Sequence, residues 1–62
     1  MNRIRELRHA AGLSTDELAK KAGMSVSHVR LLETGERPLD ADARQKIARA
    51  LECAPTDLAG PQ

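Results

Sequence analysis

The chain of 62 residues reads as an all-α domain, on three observations. Its composition favours Ala, Leu, Glu, Lys and Arg over β-branched residues, which suits helices. Its apolar residues recur three and four positions apart, the spacing of one helix face. Its glycines and the capping residues Asn2, Ser14, Ser25 and Asp40 fall between those periodic stretches, where helices stop and start. Aromatic residues are absent (0%), so the core must be aliphatic, and small side chains let helices approach closely. This length makes one small domain, near the lower limit for folding without metal or disulfide support.

The elements run in order along the chain. Asn2 is expected to cap a first helix in which Ile4, Leu7 and Ala11 face inward, with Gly12 ending it in a left-handed conformation. Ser14 and Glu17 stand three apart, the reciprocal arrangement of a capping box, and open a second helix. Leu18, Ala19 and Ala22 supply its buried stripe, and Gly23 stops it. After Met24, Ser25 caps a third helix with Val29 and Leu32 on its core side and Gly35 at its end. "GERPLD" is a loop, because Gly35 and Pro38 both break helix, and Asp40 caps the next one. The fourth helix spans "ADARQKIARALE", with Ala43, Ile47, Ala48 and Leu51 inward. "APTDLAGPQ" has room for one short turn starting at Pro55, with Leu58 packing back. A domain of residues 1–59 with a flexible tail of residues 60–62 is expected, although Gly60-Pro61 would also suit a linker into a longer regulator.

Several function classes are disfavoured. Cys53 is the only cysteine, which precludes an internal disulfide and puts four-ligand zinc chemistry out of reach, and its neighbours Leu51, Ala54 and Leu58 suggest a small core hydrophobe. His9 and His28 have no cysteine or carboxylate at metal-ligand spacing, and the glycines are scattered as helix terminators rather than gathered in a phosphate-cradling loop. No enzymatic role, cofactor, metal or small-molecule substrate is expected. No apolar run approaches a membrane span and no signal peptide follows Met1, so a cytoplasmic protein is expected. The net charge is only +1, but it is polarised. Residues 1–30 hold six basic and three acidic side chains, residues 31–62 four basic and six acidic. One face can therefore meet phosphates, or simply be an ordinary solvated surface.

The stretch "ELAKKAGMSVSHVRLLETGERP" carries the functional signal. Two helices joined by so short a turn must cross steeply, with room at the crossing only for a small side chain, here Ala19. The turn needs a positive φ, which Gly23 adopts without strain. Leu18, Ala22, Met24, Val29 and Leu32 would form the wedge beneath it. With "LRHAAGLSTDELAKKAG", "SVSHVRLLETG" and "KIARALECAPTDL", the segment from Ile4 to Leu58 resembles the Cro/repressor (XRE) family of helix-turn-helix DNA-binding domains. That resemblance implies a compact five-helix bundle of the lambda-repressor-like type, with the third helix (about residues 25–33) in the DNA major groove and the second across the backbone.

The same resemblance implies the site residues. Arg8 and Glu33 occupy positions where the family forms an internal ion pair. Ser14, Thr15 and Ser25 at helix starts, and Thr34 and Arg37 after the third helix, would grip phosphates. The family often holds Gln where Thr15 stands, which a Thr cannot imitate in bracing a base-reading side chain. Base-reading positions fall on Val26, Ser27 and Leu31, flanked by His28 and Arg30. Ser27 and His28 can hydrogen-bond base edges, Arg30 can reach guanine or phosphate, and Val26 and Leu31 can press on thymine methyls. A solvent-facing His28 without a role is the plain alternative.

The expected function is a sequence-specific transcriptional regulator, a repressor of bacterial, phage or mobile-element type. It would bind double-stranded DNA as a homodimer on half-sites about one turn apart, joined through Leu39, Ala54, Leu58 and their neighbours. The rival is a helix-turn-helix scaffold serving as an antitoxin or inhibitor, with a protein partner held by Val26 and Leu31.

Overall fold

The computed structural model describes residues 3–58. Four α-helices follow one another: α1 (Ile4–Ala10), α2 (Thr15–Ala22), α3 (Val26–Thr34) and α4 (Ala41–Leu51). A single 3-10 turn, Pro55–Leu58, closes the described chain, and no strand occurs among the described residues. The fifth helix implied by the family resemblance is thus only this turn. Pro55 opens it, Asp57 donates its amide to the Ala54 carbonyl at 2.9 Å and accepts the Ala54 amide through Oδ2 at 3.0 Å. Four residues allow no i→i+4 ladder beyond that.

Helix starts follow the capping chemistry. Ser14 Oγ accepts the Glu17 amide at 3.1 Å while Glu17 Oε1 accepts the Ser14 amide at 2.9 Å, completing the capping box. Ser25 Oγ accepts the His28 amide at 3.1 Å, and Asp40 Oδ1 accepts the Ala43 amide at 2.8 Å. The cap expected from Asn2 lies outside the described residues; the cap position of α1 is Arg3, whose side chain makes no cap bond. Arg3 is instead tied by its backbone amide to the Leu58 carbonyl at 2.9 Å, joining the two ends of the described chain.

Three helices end alike. The amide of a left-handed residue bonds the carbonyl three back, and the next amide bonds the carbonyl five back, the Schellman arrangement. Gly12 and Leu13 close α1 on His9 and Arg8 at 3.0 and 3.1 Å, and Gly23 and Met24 close α2 on Lys20 and Ala19 at 3.2 and 2.9 Å. Glu52 and Cys53 close α4 on Arg49 and Ala48 at 3.2 and 3.0 Å. At Gly23 (φ 68°) a Cβ would meet nothing within 4 Å, so the requirement is backbone conformation and not space. Glu52 adopts the same region, φ 55°, with a Cβ present.

The core is wholly aliphatic. Ile4, Leu18, Val29, Leu32, Ile47 and Leu58 are fully buried, each contributing about 1.5–3 kcal/mol of apolar transfer. Ala19, Ala22, Ala43, Ala48 and Ala50 fill between them, and Leu7, Met24, Leu39, Leu51 and Cys53 pack partly exposed against the cluster. Helix α2 contacts both α3 and α4, while α1 lies on α3 and α4 and the 3-10 turn on α4. Two expected positions differ. Ala11 lies beyond the last helical residue and is exposed, and on α4 Ala50 is buried where Leu51 is only half-buried. Cys53 does behave as an apolar filler: burial first, then the Asp57 charge, push its thiol pKa up, away from reactivity.

The helix ends can be tested at two positions. Replacing Glu52 by Gly removes a left-handed strain of about 1–2 kcal/mol, partly offset by glycine's greater freedom when unfolded. A melting temperature higher by a few degrees is expected by calorimetry; an unchanged or lower value would show that the Glu52 conformation is unstrained. The Glu17 carboxyl is held below its ordinary value of 4.5, chiefly by the Ser14 amide and then by the Ser14 hydroxyl. A depressed folded-state pKa gives stability that is present above the unfolded value and lost as pH falls through the folded one. Glu17→Gln should therefore lose part of the stability gain that wild type shows as pH rises through the carboxylate range. Coincident pH–stability curves would remove this role.

Candidate nucleic-acid interface

Helix α3 divides its faces by angle. At about 100° per residue, Val29 and Leu32 point into the core and Ser27 lies roughly 160° from Val29, at the middle of the outward arc. Ser27, Arg30 and Thr34 are exposed, and Leu31 is half-buried beside them. Val26 differs from expectation. It lies only about 60° from Val29 on this wheel, and its side chain is half-buried and packed against the core cluster. The two-residue apolar patch expected on the outer face is therefore mostly Leu31. His28 is half-buried on the far edge of the arc.

The ion pair is present and more elaborate than a pair. Arg8 Nε donates to Glu33 Oε1 at 3.1 Å, with the side chains only 12% and 8% exposed. Arg8 Nη1 also donates to the Leu13 carbonyl at 2.8 Å, and the Thr15 hydroxyl donates to Glu33 Oε2 at 3.2 Å. One carboxylate thus joins α1, the start of α2 and the end of α3, and its Arg8 partner ties in the connection after α1. The Leu13 carbonyl and the Thr15 hydroxyl carry no signal in the sequence pattern, since both contacts depend on tertiary placement.

This bonding sorts the expected phosphate-gripping residues. Ser25 accepts a backbone amide through Oγ, which leaves its hydroxyl proton available for a phosphate oxygen, whereas the Ser14 hydroxyl, which also accepts an amide, turns its proton to the Glu17 carboxylate. The first-turn amides of Thr15, Asp16, Val26 and Ser27 carry no intrahelical bond and open the same ends. The Thr15 hydroxyl proton, in contrast, is committed to Glu33. The Thr34 hydroxyl donates to the Leu31 carbonyl at 3.1 Å and accepts the Glu36 amide at 3.4 Å, so it caps its own helix. Arg37 is exposed, and among the described residues its guanidinium has no partner. As side-chain donors, Ser25 and Arg37 are free, and Ser14, Thr15 and Thr34 are not.

The expected dimer residues also separate. Leu58 is fully buried within its own fold and cannot reach another copy, Leu39 is half-buried against the core, and Ala54 is exposed.

The carboxylate network predicts a graded response. Arg8→Ala leaves a nearly dry Glu33 charge and an unpaired Leu13 carbonyl, a loss of about 3–5 kcal/mol. Thr15→Val removes one hydrogen bond to a charge, about 1.5–3 kcal/mol. Thermal melts should rank wild type above Thr15→Val above Arg8→Ala, and a Thr15→Val melt equal to wild type would dismiss the Thr15 contact.

The sequence profile of the helix-turn-helix domain family matches residues 2–59. Among solved structures, the restriction-modification controller protein C.AhdI from Aeromonas hydrophila is similar, with 40% identity and a TM-score of 0.85 over 89% of this chain and 83% of that one. No protein among curated sequences matches. With that profile spanning nearly all of its length and the α2–α3 hairpin in place, the chain belongs to the helix-turn-helix family of Cro/repressor (XRE) type, DNA-binding regulators of transcription.

Proposed function

We propose that the protein is a sequence-specific repressor that places α3 in the major groove of duplex DNA, as a homodimer on two half-sites about one helical turn apart. Its likeness to C.AhdI suggests control of a restriction–modification operon in a bacterial or mobile-element setting, within the cytoplasm. Ser27 and His28 would read base edges, Leu31 and the exposed part of Val26 would meet thymine methyls, and Ser25, Arg37 and the first-turn amides of α2 would hold phosphates. The role is binding alone, with no catalytic step. The observation that carries this reading is the outward arc of α3: a polar strip centred on Ser27, beside the helix start where the Ser25 hydroxyl proton remains free.

The protein-partner alternative loses its main support, because Val26 packs against the core. Subunit contact would have to use the exposed end of α4 and Ala54 instead of Leu58.

Selection from random duplex oligonucleotides tests the reading. A palindromic consensus is expected, with a dimer on DNA by sedimentation. Ser27→Ala should reduce discrimination at one position of each half-site by roughly two- to tenfold, the worth of one hydrogen bond. No enrichment at low salt would overturn DNA recognition, and a monomer at all concentrations, with and without the selected duplex, would overturn the dimer.

A further inference from the structure

Between α1 and α3 runs an open groove of about 830 Å³, enough for a phosphodiester with its flanking sugars. Its floor is the Arg8–Glu33 pair, which is charge-neutral and nearly dry. Its walls carry Arg5, Glu6 and His9 from α1 and Arg30 from α3. The nearby carboxylates are already engaged. Both Glu33 oxygens are taken by Arg8 and Thr15, and Glu6 pairs with Arg3 at 3.4 Å. Arg5 and Arg30 are exposed and, among the described residues, have no carboxylate partner. Three arginines and two carboxylates thus line one groove; with Arg8 and Glu33 paired in the floor, Arg5 and Arg30 outnumber the single remaining carboxylate, Glu6, which is exposed and turned to Arg3.

The angle of Arg30 on its helix adds a second constraint. It sits about 60° from Ser27, off the centre of the outward arc and on the side towards α1. Glu33 and Thr34, three and four residues on, line the same groove, whereas Ser27 and Leu31 do not. A side chain so placed points along the flank of a major-groove helix, where the sugar–phosphate strand runs.

We propose that this groove is a DNA-backbone site in which Arg5 and Arg30 clamp one strand's phosphates, so that Arg30 acts on the backbone and not on a base edge. The proposal rests on the DNA-binding function proposed for α3. Arg8 takes no direct part; bonded to Glu33 and Leu13, it fixes the spacing between the two walls. Guanidinium suits the task because its planar fork donates two parallel hydrogen bonds to phosphate oxygens.

Phosphate and base contacts differ in what they do to salt dependence and to specificity. Affinities of wild type, Arg5→Gln, Arg30→Gln, the double variant and Arg5→Lys would be measured from about 50 to 200 mM salt. Two probes serve: the duplex enriched by selection, and a scrambled duplex of the same length. Each single Gln variant should flatten the log–log salt slope by about 0.9 for each phosphate it no longer neutralises, so its deficit against wild type shrinks roughly three- to fourfold across that range. The loss should be equal on both duplexes, about doubled in slope for the double variant, and largely restored by Arg5→Lys, which keeps the charge. Circular dichroism should show all variants folded, since both positions are exposed.

An unchanged slope for Arg5→Gln would overturn the clamp. So would a loss in Arg30→Gln confined to the selected duplex, which would return Arg30 to base reading. Absence of wild-type binding to either duplex at about 50 mM salt would overturn the DNA reading itself and this inference with it, an outcome distinct from the other two.

Discussion

Glu33, in the last turn of α3, has both carboxylate oxygens occupied, one by Arg8 of α1 and the other by Thr15 of α2. The other elements that position the recognition surface are tied to this group. A helix packed only by Val29 and Leu32 can still rotate or slide on an aliphatic core, because dispersion contacts have little directional preference. Hydrogen bonds to a nearly buried charge do have direction, and here they come from two helices at once. Taking the charges out of water is costly, so the network is better understood as fixing geometry than as a net source of stability. It fixes the orientation of α3 relative to the start of α2, the two places where DNA contacts are proposed.

The same network divides the polar side chains of the DNA face into those that hold the protein together and those that remain available. Thr15 and Thr34 stand where phosphates are expected, yet both commit their hydroxyl protons within the chain, to Glu33 and to the Leu31 carbonyl. Ser25 does the opposite, accepting from its own backbone and keeping a donor for solvent. A hydroxyl has one proton and two lone pairs, so accepting an amide costs nothing in donor capacity, whereas donating to a carboxylate uses all of it. A position identified as polar and surface-facing is therefore not yet identified as a contact.

Local chemistry is the legible part of the sequence. The Ser14/Glu17 capping box, the Ser25 and Asp40 caps and the glycine terminators depend on residues within five positions of each other, and each is present. The inward stripes of α2 and α3 are likewise readable, because a strong apolar period leaves little choice of face. Positions at the edge of a stripe are not. Val26 is about one-sixth of a turn from Val29, and whether such a residue counts as core depends on what lies opposite. Ala11 looks inward only if the period is extended past the last helical residue. Leu58 suits both a core and a dimer role by its type, and only the closed fold shows it fully buried. Glu52 is the instructive case among the terminators: the Schellman hydrogen bonds form there without glycine, so the hydrogen-bond pattern, not the residue type, ends α4. Arg5 gives no sign of a site role in the sequence, because its significance lies in facing Arg30 across a groove, a relation no spacing along the chain encodes.

Helices of seven to nine residues, such as α1, α2 and α3, are too short to persist alone in water. The recognition surface therefore exists only while the whole aliphatic core is assembled. In a domain of this size the core has few fully buried large side chains to lose. Apparent affinity for any duplex is scaled by the fraction of molecules in the competent state. A core change that leaves half the chains unfolded would halve the effective protein concentration without touching a DNA contact. A change in the groove or on the outward arc of α3 would alter salt slope or base preference at full folding. Affinity alone cannot separate these two, so the division between structural and contacting residues has to be drawn from slope and specificity, with Arg8 on one side of it and Arg5 on the other.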